Sequence, residues 1–169
     1  MAPTRAVIRY GLAGSVERVL IEDDVLEQFG RYRQIKRRAP EAGGQLFARL
    51  EPPYVVIAAA TGPDERDKRS RFSFRPDLAK QQLEIKAMYE RGLHYVGDWH
   101  THPAPRGSAS GPDFRSIGEV VRLSRHGFGA FLLIVAGTAP PPDGLAVYLH
   151  DGQRAHELTP MERREDMLS

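Results

Sequence analysis

The chain has 169 residues, enough for one domain with a buried core, and its 41% apolar and 27% charged residues are ordinary for a globular protein. It contains no cysteine, which excludes a disulfide framework, a thiolate nucleophile and a cysteine-held zinc or iron–sulfur site, so any metal must be held by His and carboxylate. The net charge of +2, from 24 Lys and Arg against 22 Asp and Glu, leaves no concentrated basic footprint for nucleic acid, and no run of about 18 apolar residues is present to span a bilayer.

The opening MAPTRAVIRY lacks the apolar segment of a secretory signal, so the expected location is the cytoplasm. SVERVLIED reads as a strand. DDVLEQFGRYRQIKRR then sets Val25, Leu26, Phe29, Tyr32 and Ile35 at helical spacing, with Asp23 or Asp24 as N-cap. GGQLFARLE and YVVIAAATG are apolar runs separated by Pro-Pro and predict a hairpin of buried strands. RFSF alternates like a further short strand in the same sheet. Between these lies GPDERDKRSR, a charged loop from Gly62 to Arg71. PDLAKQQLEIKAMYERG predicts a second helix, with Pro76 early, Leu78, Ile85, Met88 and Tyr89 on one side, and Gly92 as the stop.

LHYVGDWHTH predicts a strand, followed by a Gly/Ser/Pro loop, a helix over DFRSIGEVVRLSRHG, and strands AFLLIVAGT and GLAVYLHDG joined by the turn-forming GTAPPPDG. Interleaved strands and helices define the expected class as α/β: a single three-layer domain, a mixed β-sheet flanked by helices. It should span residues 1–160, with 161–169 as a C-terminal tail.

The chemistry concentrates in GDWHTHPAPRGSASGPDFRS, Gly97 to Ser116. If YVGDWHTH is a strand, its period of two puts His100 and His102 on one face and Thr101 on the other. Pro103 cannot donate to a continuing ladder and ends the strand, and Asp113 falls at the start of the next helix. Two neutral imidazoles and a carboxylate suit Zn²⁺, and three protein ligands leave the fourth tetrahedral position for water, the arrangement of catalytic rather than structural zinc. Zinc brings the pKa of its water down to about 7 and polarises a carbonyl.

An H-x-H pair alone also serves surface or hydrogen-bonding roles. Metal-binding H-x-H pairs on (β/α)₈ barrels belong to a fold of about 250 residues, which this chain is too short to make. His94, His126, His150 and His156 have no such neighbours and are expected as surface or capping groups. Asp98 shares the ligand face with His100 and ranks behind Asp113 as a ligand. It is expected behind the first contacts or at the rim.

His100-Thr101-His102-Pro103, six residues, Ser110, two residues and Asp113 resembles the JAMM motif of the MPN-domain metalloproteases at every motif position. That family places a glutamate upstream, followed by glycines and an apolar strand, and PEAGGQLFARL offers Glu41 before Gly43 and Gly44. These glycines either begin a strand or allow close backbone approach to a substrate. The resemblance implies an MPN/JAMM fold of cytidine-deaminase-like type, with one Zn²⁺ per chain on His100, His102 and Asp113. It implies Glu41 as general base and later proton donor, and Ser110 as donor to the developing oxyanion; Ser108 is a neighbouring competitor.

The chain is most similar to the compact bacterial members found with ubiquitin-like conjugation machinery in antiphage defence. The activity this implies is a zinc metalloprotease of the deubiquitinase-like isopeptidase type, whose partner is a ubiquitin-like modifier or its conjugate with a target protein. The alternative is a noncatalytic MPN-type adaptor that binds a modifier or a complex partner. The Gly62–Arg71 loop is expected to help grip the modifier or to serve as a solvated connection.

Overall fold

A computed structural model describes residues 7–123 and 130–161 of the chain. His126 and the tail beyond Met161 lie outside the described residues. In chain order the elements are β1 (Val7–Gly11), β2 (Arg18–Glu22), α1 (Asp23–Arg31), β3 (Gly43–Glu51), β4 (Tyr54–Ala60), β5 (Lys68–Ser70), β6 (Ser73–Arg75), α2 (Leu78–Glu90), β7 (His94–Thr101), α3 (Gly111–Leu123), β8 (Phe131–Ala136), β9 (Leu145–His150) and β10 (Ala155–Met161). Among the described residues no helix is long and apolar enough to cross a membrane.

The main sheet is mixed. β2 pairs parallel with β4, and β7 parallel with β8, while the remaining neighbours are antiparallel. The order β1-β10-β9-β8-β7-β3-β4-β2 closes on itself because β1 also pairs with β2. The closing strands β1 and β10 carry little apolar periodicity. Only Leu158 of β10 is fully buried, and Pro160 sits opposite Tyr10 in its pairing with β1.

The period of two sorts side chains to the two faces of the sheet. On β8, Leu132, Ile134 and Ala136 join a cluster with Val25 and Phe29 of α1, whereas Phe131, Leu133 and Val135 join Ile117 and Phe114 of α3. The two helices thus cover opposite faces of one sheet, and the domain is three-layered α/β.

Several local expectations are corrected. α1 ends at Arg31 rather than running to Arg38, which leaves Ile35 exposed beyond the helix. The segment after it turns because Gln34 is drawn inside, and Ala39, before Pro40, is disfavoured in helical geometry. Asp23 and Asp24 occupy the first turn, favourable beside the helix dipole, while Glu22 is the N-cap without a side-chain capping bond.

RFSF does not join the main sheet. Ser73–Arg75 pairs instead with Lys68–Ser70, part of the expected charged loop, as a separate two-stranded sheet. In α2 the N-cap is Asp77, whose carboxylate accepts from the Lys80 amide at 2.9 Å, so Pro76 precedes the helix. Leu78 and Tyr89 are 71% and 67% exposed rather than packed on one buried side, and no residue of α2 is fully buried where it meets β7.

Gly43 and Gly44 do begin a strand, and their close approach is to the chain itself. A Cβ on Gly44 would overlap the Thr61 carbonyl, and one on Gly43 would meet the Trp99 carbonyl and the Phe74 ring. The Trp99 indole N–H donates to that same Thr61 carbonyl at 2.9 Å, which draws the chain after β4 against β3.

Candidate metal centre

β7 delivers the two histidines after an irregularity. Its pairing with β3 shifts register between Leu46 and Phe47, leaving Val96 without a partner, and this inverts the alternation part-way along the strand. Val96 and Trp99 therefore share the core toward α1, and His100 is turned toward α3. His102 lies one residue past β7, its amide donating to the Ala136 carbonyl at 3.0 Å, so the alternation persists through it. The imidazole centroids are 4.8 Å apart, and Pro103 follows where pairing stops.

Thr101 faces the other way and is completely buried. Its hydroxyl donates to Gln34 Oε1 at 2.9 Å and accepts from the Ala42 amide at 2.9 Å, while its own amide donates to the Ala42 carbonyl. Gln34 Nε2 donates to the carbonyls of Ala39 at 3.0 Å and Arg71 at 2.8 Å. This network fixes the strand end between the histidines to the segment that carries Glu41. The Glu41 amide donates to the Ser70 carbonyl at 2.6 Å, and Arg69 Nε donates to the Glu41 carbonyl at 2.8 Å, so the β5–β6 hairpin clamps the same segment from outside.

Glu41 is 6% exposed, and its Oε1 stands 3.3 Å from His102 Nε2. Asp113, in the first turn of α3, brings Oδ2 to 3.2 Å from His100 Nε2 and 3.7 Å from His102 Nε2. Asp113 and Ser110 hold each other as a capping box does. The Ser110 amide donates to Asp113 Oδ2 at 2.7 Å, and the Asp113 amide donates to Ser110 Oγ at 3.2 Å. The Ser110 hydroxyl also lies in hydrogen-bonding reach of the Asp113 carboxylate, to which it can donate. Ser108 meets His102 through its backbone.

Burial disfavours the charged form of Asp113, but His100 and the Ser110 contacts outweigh it and hold the carboxyl well below the usual carboxylate range. The hydrogen bond that His102 donates to Glu41 raises the His102 pKa; burial opposes it, and Asp113 adds to the rise. Carboxylates that favour a proton on His102 favour a cation in the same place. Asp98 lies on the His100 side of β7 as expected, where its Oδ1 accepts from the Tyr95 hydroxyl at 2.7 Å. Burial pushes its pKa up to about 6 against the pull of Tyr95 and His100.

Of the other histidines, His94 meets the Tyr89 ring edge-on at 5.8 Å, and His156 Nε2 lies 3.3 Å from Asp151 Oδ2. His150 takes the capping role of the two expected, though from a buried position. It is 6% exposed, and its Nδ1 accepts from the Gly152 amide at 3.0 Å in the turn after β9.

The donor set passes a geometric test for zinc. Bonds of about 2.0–2.1 Å in tetrahedral array place neighbouring ligand atoms about 3.3 Å apart. The separations of Asp113 Oδ2 from His100 and His102, 3.2 and 3.7 Å, are near that size, and Glu41 Oε1 stands 3.3 Å from His102 beside them. The donor atoms of Glu41, His100 and His102 all lie within 4.8 Å of one another, and Asp113 Oδ2 approaches both imidazoles.

The sequence does not single out Gln34, and from it Arg69, with Arg66 and Lys68, is expected to grip the modifier rather than to hold Glu41. Strand periodicity puts Thr101 on the face opposite the histidines, but nothing local marks its bond to Gln34 or that of Arg69 to Glu41, whose partners lie far along the chain. Replacing Gln34 by Leu strands the Thr101 hydroxyl and two carbonyls, at about 1–3 kcal/mol for each buried polar group left unpaired. Urea unfolding of Gln34→Leu is expected to show a loss of at least about 2 kcal/mol with an unchanged slope. A loss under about 0.5 kcal/mol would leave the network without structural weight.

The fold and the histidine–carboxylate cluster define a JAB-type domain. The family described as prokaryotic homologs of the JAB domain matches residues 25–149, and the chain belongs to it. Its curated relatives include a protein of Enterobacter hormaechei named CD-NTase/cGAS isopeptidase, 25% identical over 136 residues that cover 79% of this chain and 74% of that one. A Vibrio cholerae protein of the same name is 31% identical over 101 residues, 58% of this chain and 65% of that one. A probable metalloprotease of Sinorhizobium fredii, y4qB, is 43% identical over 58 residues, 32% and 35% of the two chains. Among solved structures, protein DSY2949 of Desulfitobacterium hafniense superposes with a TM-score of 0.55 at 20% identity, over 81% of this chain and 87% of that one, a likeness of fold.

Proposed function

We propose that this chain is a zinc-dependent isopeptidase or peptidase of JAMM type. It cleaves after the C-terminus of a ubiquitin-like modifier or another conjugated protein, freeing it from a target or precursor. The observation that carries the reading is the convergence of Glu41, from before β3, with His100 and His102 of the β7 end and Asp113 of α3. The names of the relatives from Enterobacter and Vibrio support it and point to a CD-NTase as the conjugated protein. The y4qB name supports a metal-dependent hydrolase.

His100, His102 and Asp113 are assigned as the zinc ligands, because Asp113 reaches both imidazoles and is aimed by the Ser110 amide. Zinc bound there supplies Lewis acidity and water of lowered pKa. Glu41 takes the proton of the attacking water and later gives it to the leaving amine, a role open to a carboxylate held beside His102 and shielded from bulk water. Ser110, turning its hydroxyl from Asp113, donates to the oxygen that gains charge as the scissile carbonyl becomes tetrahedral. The reading is tested by turnover of a conjugate or fusion joined through the modifier's C-terminus and by the position of the cut.

The β5–β6 hairpin, which touches Glu41, offers the nearest strand edge along which an extended tail could lie, its main chain aligning the carbonyl. Arg66 and Lys68 are exposed on this side and are assigned to steering the modifier; Arg69 is set apart because it holds the Glu41 carbonyl. The double swap Arg66→Glu, Lys68→Glu is expected to lower kcat/KM about two- to fivefold at low salt, with the loss shrinking as salt rises and zinc content unchanged. Equal kcat/KM for wild type and swap at low salt would remove the hairpin from recognition.

A further inference from the structure

At the end of β3 away from the metal centre, the structure holds a cavity. β3 pairs with His100 at Gly43 and with Tyr54 at Glu51, so the two ends are roughly 26 Å apart at strand rise. The cavity has a volume of about 240 Å³ and opens between the β1–β2 and β3–β4 turns. Its wall is largely apolar, with Val19, Pro53, Val55, Leu132, Leu149 and Leu158 contributing. A dry cavity of about 150 Å³ lined by such residues accepts benzene, so in proportion this one has room for about ten non-hydrogen atoms.

Two polar groups break the apolar wall. Tyr10 lines the cavity, is 1% exposed, and its hydroxyl has no hydrogen-bond partner. The hydroxyl oxygen itself has almost no accessible surface, so it is closed off behind the cavity wall and the charged donor of the site is at the rim. Burial pushes the Tyr10 pKa up to about 12 against the opposing charge of Arg106. At the rim lies Arg18. Its Nη1 donates to the carbonyls of Ser15 at 2.6 Å and Glu17 at 2.8 Å, which fixes the guanidinium and leaves Nε and Nη2 to donate elsewhere. No carboxylate among the described residues pairs with it. Glu17 also lies at the rim, but it is exposed, where solvent and salt screen its charge.

We infer that this end of the barrel is a binding site for a small monocarboxylate with an apolar body of about eight carbons, the chain filling the cavity and the carboxylate at the rim with Arg18. The site is independent of the metal centre and of the reaction proposed for it.

The test is calorimetric titration of the full chain with octanoate, octan-1-ol and octylamine at fixed ionic strength. Octanoate is expected to bind at one site per chain, and octylamine more weakly than either of the others. Arg18→Gln should weaken octanoate about tenfold and leave octanol unchanged, a charge-assisted bond being worth that much. Leu149→Trp, which fills the cavity, should abolish both. Should that variant fail to melt cooperatively, Val19→Phe serves as the smaller filling change.

Octanoate and octylamine binding alike, or Arg18→Gln leaving octanoate unchanged, would overturn the carboxylate assignment. Undiminished binding to a folded cavity-filled variant, or no binding of any probe to wild type, would overturn the site.

Discussion

Glu41→Gln is expected to lower turnover of a conjugated substrate by about 10²–10⁴-fold, the usual worth of a positioned general base, while the protein keeps about one zinc per chain. Gln occupies the same volume in a position that is 6% exposed, and its amide oxygen can still accept from His102, 3.3 Å from the present carboxylate. It cannot accept the proton of an attacking water. The local fold should survive the change, because the bonds that place this residue come from its backbone: the amide to Ser70 and the carbonyl from Arg69. Steady-state kinetics beside elemental analysis of the same preparation separate the two effects. Wild-type turnover in the variant would show that Glu41 is not the base, and Asp98, beside His100, would be tested next.

The second large effect is on metal. Replacing His100 and His102 together by Ala should take zinc from about one per chain to nearly none after chelator washing and reloading, and activity should fall to background. Asp113 and Glu41 would then face each other across a site without nitrogen donors, and two carboxylates alone favour hard, oxygen-bound cations over zinc. Unchanged zinc content in the double variant would sink the ligand assignment.

Legibility followed distance along the chain. β3 was readable to the residue because Gly43–Glu51 is an apolar run between glycines and a Pro-Pro turn. The shared face of His100 and His102 follows from strand periodicity, and the first-turn position of Asp113 from the Gly-Pro that starts α3. Glu41 needed the family pattern, since the bonds that place it run to Ser70 and Arg69, nearly thirty residues on.

Other elements hid for the same reason. α1 reads as helical to Arg38 because Ile35 is in phase, yet Gln34 gains more by turning inward to three partners, which no periodicity anticipates. β1 and β10 lack apolar runs because they close the sheet largely through main-chain pairing with each other and their neighbours. β5 reads as loop because its three residues, two of them charged, are all exposed and the hairpin's value lies in its backbone contact with Glu41.

The most direct test of the proposed function is the intact mass of the products formed from a CD-NTase or a ubiquitin-like protein joined through its C-terminus to a reporter, by a peptide bond and by a lysine isopeptide bond. The account predicts one cut, immediately after the last residue of the conjugated protein, made by the zinc-loaded wild type and lost in Glu41→Gln. Cuts scattered at internal sites and indifferent to substitutions in the tail, or no cut by a zinc-loaded protein that still binds the conjugate, would contradict it, the first marking a general protease and the second an adaptor.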